Sequence, residues 1–394
     1  MLFHSGKVKN PYGYFDFVMK IAILVKGFPP STLAGTEVAT EHMARNLAQK
    51  GLDVHIVTVR HLEEALTEER DGYEIHRIVE STGLLGRIRY YFTLRSILNE
   101  IRPDVIHCQG LYIEAPFGVK IAKKLNVPSI TFPRGSDVLE ASSTNRRVLS
   151  WTMKNADLVL TQTEYMKSSV EKMVPSDFRI LVLPNGIDIE RFQGIDRKGV
   201  RNSYGIKENE FIFLFVGRLV DKKCPMDVIE AYNIFTKTVG TMGGAGGVRL
   251  FMVGEGENEQ ELKRKINEYE MQETISMIGK LDNDAIPDVM VSSDMLVLPS
   301  YAEGFPMTFL EAMASGLPII TSDDGANPEI IEDGINGLII PLHDVQTLSQ
   351  RMTECYNDKS LNERMGQNNL KKVTDYTWDS ISDRLIEIYC LLVK

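Results

Sequence analysis

Residues 292–322 read SSDMLVLPSYAEGFPMTFLEAMASGLPIITS. DMLVLPS is a short apolar run between turn residues and predicts a buried strand. After Pro306, the residues Met307, Phe309, Leu310 and Met313 recur at helical spacing, and Gly316-Leu317-Pro318 ends the helix. PIITS predicts the next strand. Glu303 therefore falls in a strand-to-helix loop and Glu311 one turn inside the helix. In an open α/β sheet such loops bind ligands. The competing account is an acid complementing the helix dipole beside a solvated glutamate.

The same rhythm runs through the chain. IAILVKG, DVHIVTV, DVIHC, PSITF, ADLVLTQ and RILVLPN mark strands in the first half. FIFLFVG, RLFMVG, ISMIG, DMLVLPS, PIITS and GLIIP mark them in the second. Apolar runs alternating with helical stretches predict parallel sheets covered on both faces. Six and six predict an α/β protein of two doubly wound, Rossmann-like parallel-sheet domains. The Pro/Asn/Gly cluster LPNGIDIERFQGIDRKGV (183–200) marks the junction. Domains are expected at 19–190 and 200–375. Residues 1–18 form an extension ahead of the first strand, a disordered tail or a non-native start.

The 394 residues exceed what one core usually supports. Net charge is −10 and uneven. Residues 1–190 hold 23 Lys+Arg against 22 Asp+Glu, and residues 191–394 hold 21 against 32. The acidic half argues against nucleic-acid binding. The 4 cysteines lack metal or redox spacing. Residues 1–18 lack an apolar signal segment, and no apolar run reaches membrane-spanning length. A cytoplasmic location is expected, with peripheral contact on the inner membrane face as an addition.

Several loops carry candidate chemistry. FVGRLVDKKCP puts Gly217, Arg218 and Lys223 after a strand, where two cations suit a diphosphate or are ordinary surface charges. STLAGTEVATEHM puts Gly35 where the backbone can approach a ligand or make a plain turn. TFPRGSDV puts Arg134 and Asp137 at the crevice edge, and DVIHC puts His107 at a strand end. Asp282-Asn283-Asp284 resembles a D-x-D metal motif but reads as a loop into the next helix. The Gly-rich stretch 238–248 reads as a surface loop, since it precedes a strand and lacks a P-loop lysine.

In this order, these pieces resemble the retaining glycosyltransferases of the GT-B fold, the glycosyl-group-1 (family 4 type) transferases. Glu303 and Glu311 look like that family's E-x7-E pair, and Gly217, Arg218 and Lys223 look like its G-R-L-x3-K motif. LPNGIDIERF is similar to its P-N-G-V-D-x3-F segment, and GANPEIIEDGINGLIIP to its G-G-x-P-E segment. The closing YTWDSISDRLIEIY resembles its final helix, which implies that 376–394 crosses back to the first domain. Three positions depart from the pattern. Ala34-Gly35 stands for paired glycines, Arg134 for a histidine near the sugar, and Cys224 for a glycine.

The resemblance implies two domains facing a central cleft and transfer of a hexose-type sugar from a nucleoside diphosphate sugar to a hydroxyl acceptor. It implies retention of anomeric configuration, and neither cofactor nor metal. A UDP-sugar is the first expectation for the donor and GDP-mannose the second. Arg218, Lys223 and the helix-start amides of Gly304, Phe305, Pro306, Met307 and Thr308 would meet the diphosphate, though proline itself offers no N–H. Glu311 would hold the ribose and Glu303 the donor sugar. Gly35, Gly279 and Leu281 would complete the donor side, with Arg134 near the chemistry and His107 and Asp137 on the acceptor side.

LLGRIRYYFTLRSI (84–97) combines Arg87, Arg89 and Arg95 with Tyr90, Tyr91 and Phe92. Its aromatics read as core and its arginines as a solvated face, with contact to an anionic membrane as the alternative. The rival functions are a sugar-nucleotide epimerase of related fold and a sugar-nucleotide binder of weak activity.

Overall fold

The computed structural model describes residues 9–10, 13–14, 18–32, 35–61, 64–79, 83–111, 113–140, 142–174, 178–240 and 247–393. Most of the N-terminal extension, Ala34 and the centre of the Gly-rich stretch lie outside these residues. Two compact units result: one runs to Gly186 and resumes at Trp378, and the other is Ile187–Thr377.

In the first unit, a short antiparallel pair, β1 (Lys9–Asn10) and β2 (Gly13–Tyr14), precedes the sheet. The sheet contains β3 (Lys20–Val25), β4 (Asp53–Arg60), β5 (Thr67–Arg70), β6 (Tyr73–Val79), β7 (Val105–Gln109), β8 (Ser129–Phe132), β9 (Leu158–Thr161) and β10 (Ile180–Val182). Its order is β10-β9-β8-β7-β3-β4-β6-β5, and only β5 runs antiparallel to its neighbour. All six expected strands form. The additional β5 and β6 carry few consecutive apolar residues: TEER is an exposed edge, and YEIHRIV alternates core and polar positions.

One face of this sheet packs under the helices Gly35–Gln49 and Trp378–Val393. The other packs under Gly83–Ile101 and Glu114–Leu125. Gly186 makes the C-terminal return of the chain feasible, because a Cβ there would lie 2.4 Å from the Trp378 indole.

The second unit holds β11 (Phe211–Val216), β12 (Val248–Val253), β13 (Ile275–Gly279), β14 (Met295–Leu298), β15 (Ile319–Ser322) and β16 (Gly337–Ile340). These are the six expected strands, all parallel, in the order β13-β12-β11-β14-β15-β16. From β11 the chain steps outward through β12 to β13, then returns to β14 on the other side. The direction reverses between β11 and β14, and the crevice beyond their carboxyl ends is the ligand position of such sheets. Among the described residues no helix is long and apolar enough to cross a membrane.

Candidate functional site

Both loops at this switch point are tightly fixed. Gly217 N–H donates to Val253 O at 3.0 Å and Leu219 N–H to Glu255 O at 2.9 Å. Gly254 permits this approach: its φ is 138°, and a Cβ there would fall 1.9 Å from Gly217 O. Lys223 ends a short 3-10 turn, and Cys224 follows with a left-handed φ of 52°. That conformation accounts for glycine being usual at the matching position.

Tyr301 N–H donates to Lys222 O at 3.0 Å, which ties the β14 loop to the β11 loop. Ala302 is held left-handed, at φ 51°, and its N–H donates to Asp324 Oδ1 at 2.5 Å. Glu303 O accepts from Ala326 N–H at 3.0 Å.

The loops bring together two residues 80 positions apart. Lys223 Nζ lies 2.7 Å from Glu303 Oε1, with side chains 15% and 11% exposed. Gly304, Phe305 and Pro306 are buried beside them, and Met307 and Thr308 open the Met307–Ala314 helix. No side chain caps that helix, and its positive end lies at the carboxyl end of β14, the side of the sheet on which the crevice opens. Glu311 sits in its second turn. Burial pushes its carboxyl up to about 7, against the opposing fields of Arg191 and Lys223.

Arg191 had no assigned role in the sequence. It donates to Asn283 O at 2.6 Å and pairs with Asp284 at 3.4 Å. This clamps the 282–284 segment as the entry turn of the Ile286–Ser292 helix. Gly279 closes β13 at φ 81° and accepts from Gly254 N–H at 2.9 Å, and Leu281 is half-buried. Arg218 is exposed and makes no ion pair among the described residues. The crevice thus combines one paired cation, one available cation, a helix N-terminus and two carboxylates. It suits an anion flanked by hydroxyl groups.

In the first unit, the Arg134 backbone N–H donates to Asp137 Oδ1 at 3.0 Å. Its guanidinium donates to Gln109 Oε1 at 2.8 Å and to Asn185 Oδ1, and stacks 3.9 Å from the Phe132 ring centroid. Burial lowers Arg134 to about 9, so it stays charged at neutral pH.

The Gln109 amide donates on to His107 Nε2 at 3.3 Å, and His107 Nδ1 pairs with the Tyr389 hydroxyl at 2.7 Å. His107 is fully buried and held neutral by burial, near a value of about 3. Its placement serves the core rather than an acceptor surface, because β7 is covered on both faces. Gly35 is exposed, and a Cβ there would meet nothing within 4 Å.

Glu114 gave no sequence signal. It is fully buried with both carboxylate oxygens lacking a hydrogen bond, and burial pushes it up to about 8. A cavity of about 560 Å³ opens nearby, lined by Arg87, Leu111, Phe117, Asp137, Glu140 and Leu149 among others.

The model of the glycosyl transferases group 1 matches residues 196–372, and that of Glycosyltransferase Family 4 matches residues 33–191. The Escherichia coli UDP-Gal:alpha-D-GlcNAc-diphosphoundecaprenol alpha-1,3-galactosyltransferase is 26% identical over 76% of this chain and 79% of its own. The Bacillus anthracis N-acetyl-alpha-D-glucosaminyl L-malate synthase is 23% identical over 89% and 91%. The structure of Anabaena Alr3699/HepE in complex with UDP superposes with a TM-score of 0.80 at 19% identity, covering 95% of this chain and 100% of that one.

Proposed function

The chain belongs to the group 1 glycosyltransferases of the GT-B fold, and on that premise we propose that it moves a hexose-type sugar from a UDP-sugar to a hydroxyl acceptor with retention of configuration. The 2.7 Å pairing of Lys223 with Glu303 carries this reading. It brings one cation and one carboxylate into a single buried place, which suits a leaving diphosphate beside a donor sugar.

As the glycosidic bond stretches, charge builds on the diphosphate. Lys223, Arg218 and the first-turn amides of the Met307–Ala314 helix stabilise it. They supply the neutralising charge, so no metal is assigned to the leaving group. Glu303 favours positive charge on the sugar ring and Glu311 accepts from the ribose hydroxyls. The leaving phosphate serves as the base toward the acceptor hydroxyl. Uridine is placed before guanosine because the Anabaena neighbour is a UDP complex and the E. coli relative is named for a UDP-sugar.

The acceptor is assigned to the first unit, around Asp137 and the cavity beside it. A glycan linked to a membrane lipid suits the exposed apolar residues Leu84, Leu85 and Phe92 of the neighbouring helix.

Thermal stabilisation by UDP, GDP and ADP and their sugars tests the donor. A nucleotide at about 100 times its Kd adds roughly 2.7 kcal/mol. UDP is expected to stabilise wild type but not Glu311→Ala. If no nucleotide stabilises wild type, the donor site is misassigned. The product anomer, read by proton NMR, tests retention.

A further inference from the structure

The parallel strands β4 and β6 pair in a register that sets His55 opposite Glu74 and Val57 opposite His76. Alternation along each strand turns His55, Glu74 and His76 to one face, near the strand starts and thus at the opposite end of the sheet from the Arg134 loop.

Three donor atoms converge there. His55 Nδ1 lies 3.1 Å from His76 Nε2, and each lies 3.5 Å from Glu74 Oε2. A tetrahedral zinc with bonds of about 2.0–2.2 Å separates its ligand atoms by about 3.3–3.6 Å. The three atoms therefore already outline one face of such a tetrahedron. Two imidazoles and a carboxylate are also a donor set that zinc favours.

A second feature points the same way. His55 Nε2 lies 3.0 Å from Asp53 Oδ1, the outer carboxylate that orients a metal-bound imidazole and leaves the other nitrogen free to ligate. Asp53 is held in turn by Lys20 at 3.1 Å. His55 and His76 are 7% and 16% exposed and Glu74 is 57% exposed, so a fourth position faces water.

We propose that His55, Glu74 and His76 form a zinc site that clasps β4 to β6, with Asp53 as its orienting carboxylate. The site is separate from the Lys223–Glu303 crevice and takes no part in group transfer. The other set of metal-capable groups, Cys224, Asp227 and His343, fits less well. Its imidazole and carboxylate are 2.8 Å apart, further inside the tetrahedral edge than any pair of the first set, and its sulfur and imidazole are 4.0 Å apart.

The test uses the full chain stripped with EDTA and titrated with Zn²⁺ against a chromogenic chelator, with Co²⁺ absorption as the geometry probe. One Zn²⁺ per chain, a raised Tm and tetrahedral Co²⁺ bands are expected. Glu74→Ala is at an exposed position and keeps the fold. It is expected to weaken Zn²⁺ at least tenfold, Glu74→Ala/His76→Gln to abolish it, and Cys224→Ser to leave it unchanged. Absence of micromolar Zn²⁺ binding, binding that survives the double variant, or binding lost in Cys224→Ser would each overturn the proposal.

Discussion

Lys223 Nζ lies 2.7 Å from Glu303 Oε1 and so joins the two loops at the switch point of the second sheet. On the proposed function a diphosphate entering the crevice would compete with Glu303 for that ammonium, and the pair would connect stability to turnover. Lys223→Ala leaves a buried carboxylate without its cation and is expected to cost roughly 3 kcal/mol. It also removes transition-state charge stabilisation, for a loss of about 10²–10³ in kcat. Lys223→Ala/Glu303→Gln should recover most of the stability and none of the turnover. Urea midpoints and kcat for the four proteins of this cycle decide it, and additive stability effects would refute the coupling.

Glu114 is expected to make stability fall with pH. Burial, aided by the fields of Asp137 and Glu37, raises its carboxyl from 4.5 to about 8, against its own backbone amide and Lys26. The folded state therefore holds this proton more tightly than the unfolded chain. The stabilising contribution is complete below about pH 4.5 and is lost as pH rises toward about 8. Glu114→Gln removes the dependence. It should match wild type near pH 4.5 and exceed it at pH 8.5 by up to about 4 kcal/mol. Equal urea midpoints for the two proteins at pH 8.5 would count against a buried, unpaired Glu114.

Gly186 and Trp378 make a purely steric prediction. A methyl group on Gly186 would enter the indole at 2.4 Å, and both residues belong to the first unit's packing. Gly186→Ala is expected to cost about 1–3 kcal/mol through overpacking. Trp378→Leu should recover part of that loss in the double variant. A midpoint for Gly186→Ala within 0.5 kcal/mol of wild type, on the order of ordinary surface changes, would show that the two segments are not pressed together.

The parts legible in the sequence were those with a local period. Twelve apolar runs became strands, ten of them buried because interior parallel strands need continuous apolar residues, with β10 and β13 half-buried at the sheet edges. Glu303 and Glu311 could be placed from one strand–loop–helix pattern. The Lys223–Glu303 contact could not, because it depends on how β11 and β14 are ordered in the sheet. Arg191 fills a variable position of the LPNGIDIERF segment and Glu114 lies in no motif, and the surroundings of both come from distant loops. His107 looked available at a strand end, yet Tyr389, from the end of the chain, covers it. In residues 84–97 the helical phase decided the outcome: Tyr90 and Leu94 turn inward, while Phe92 remains outside.

That outward face leads to a membrane prediction. Leu84, Leu85, Ile88 and Phe92 are exposed on the Gly83–Ile101 helix, and Val148 and Trp151 are exposed on Ser143–Asn155. Arg87, Arg89, Arg95, Arg146 and Arg147 are exposed on the same two helices. Apolar residues set among arginines match the boundary of an anionic bilayer, and each basic residue near such a surface contributes about 1 kcal/mol. The protein is expected to cosediment with phosphatidylglycerol vesicles and not with phosphatidylcholine vesicles. Binding should weaken from 50 mM to 500 mM salt, on the order of several Debye-screened charges. Leu84→Ser/Leu85→Ser/Phe92→Ser should lose binding at both salt concentrations while keeping its circular dichroism spectrum and Tm, since none of the three is in the core. Arg87→Gln/Arg89→Gln should lose mainly the low-salt part. Equal binding to both lipids, or undiminished binding by the triple variant, would remove this face as the contact.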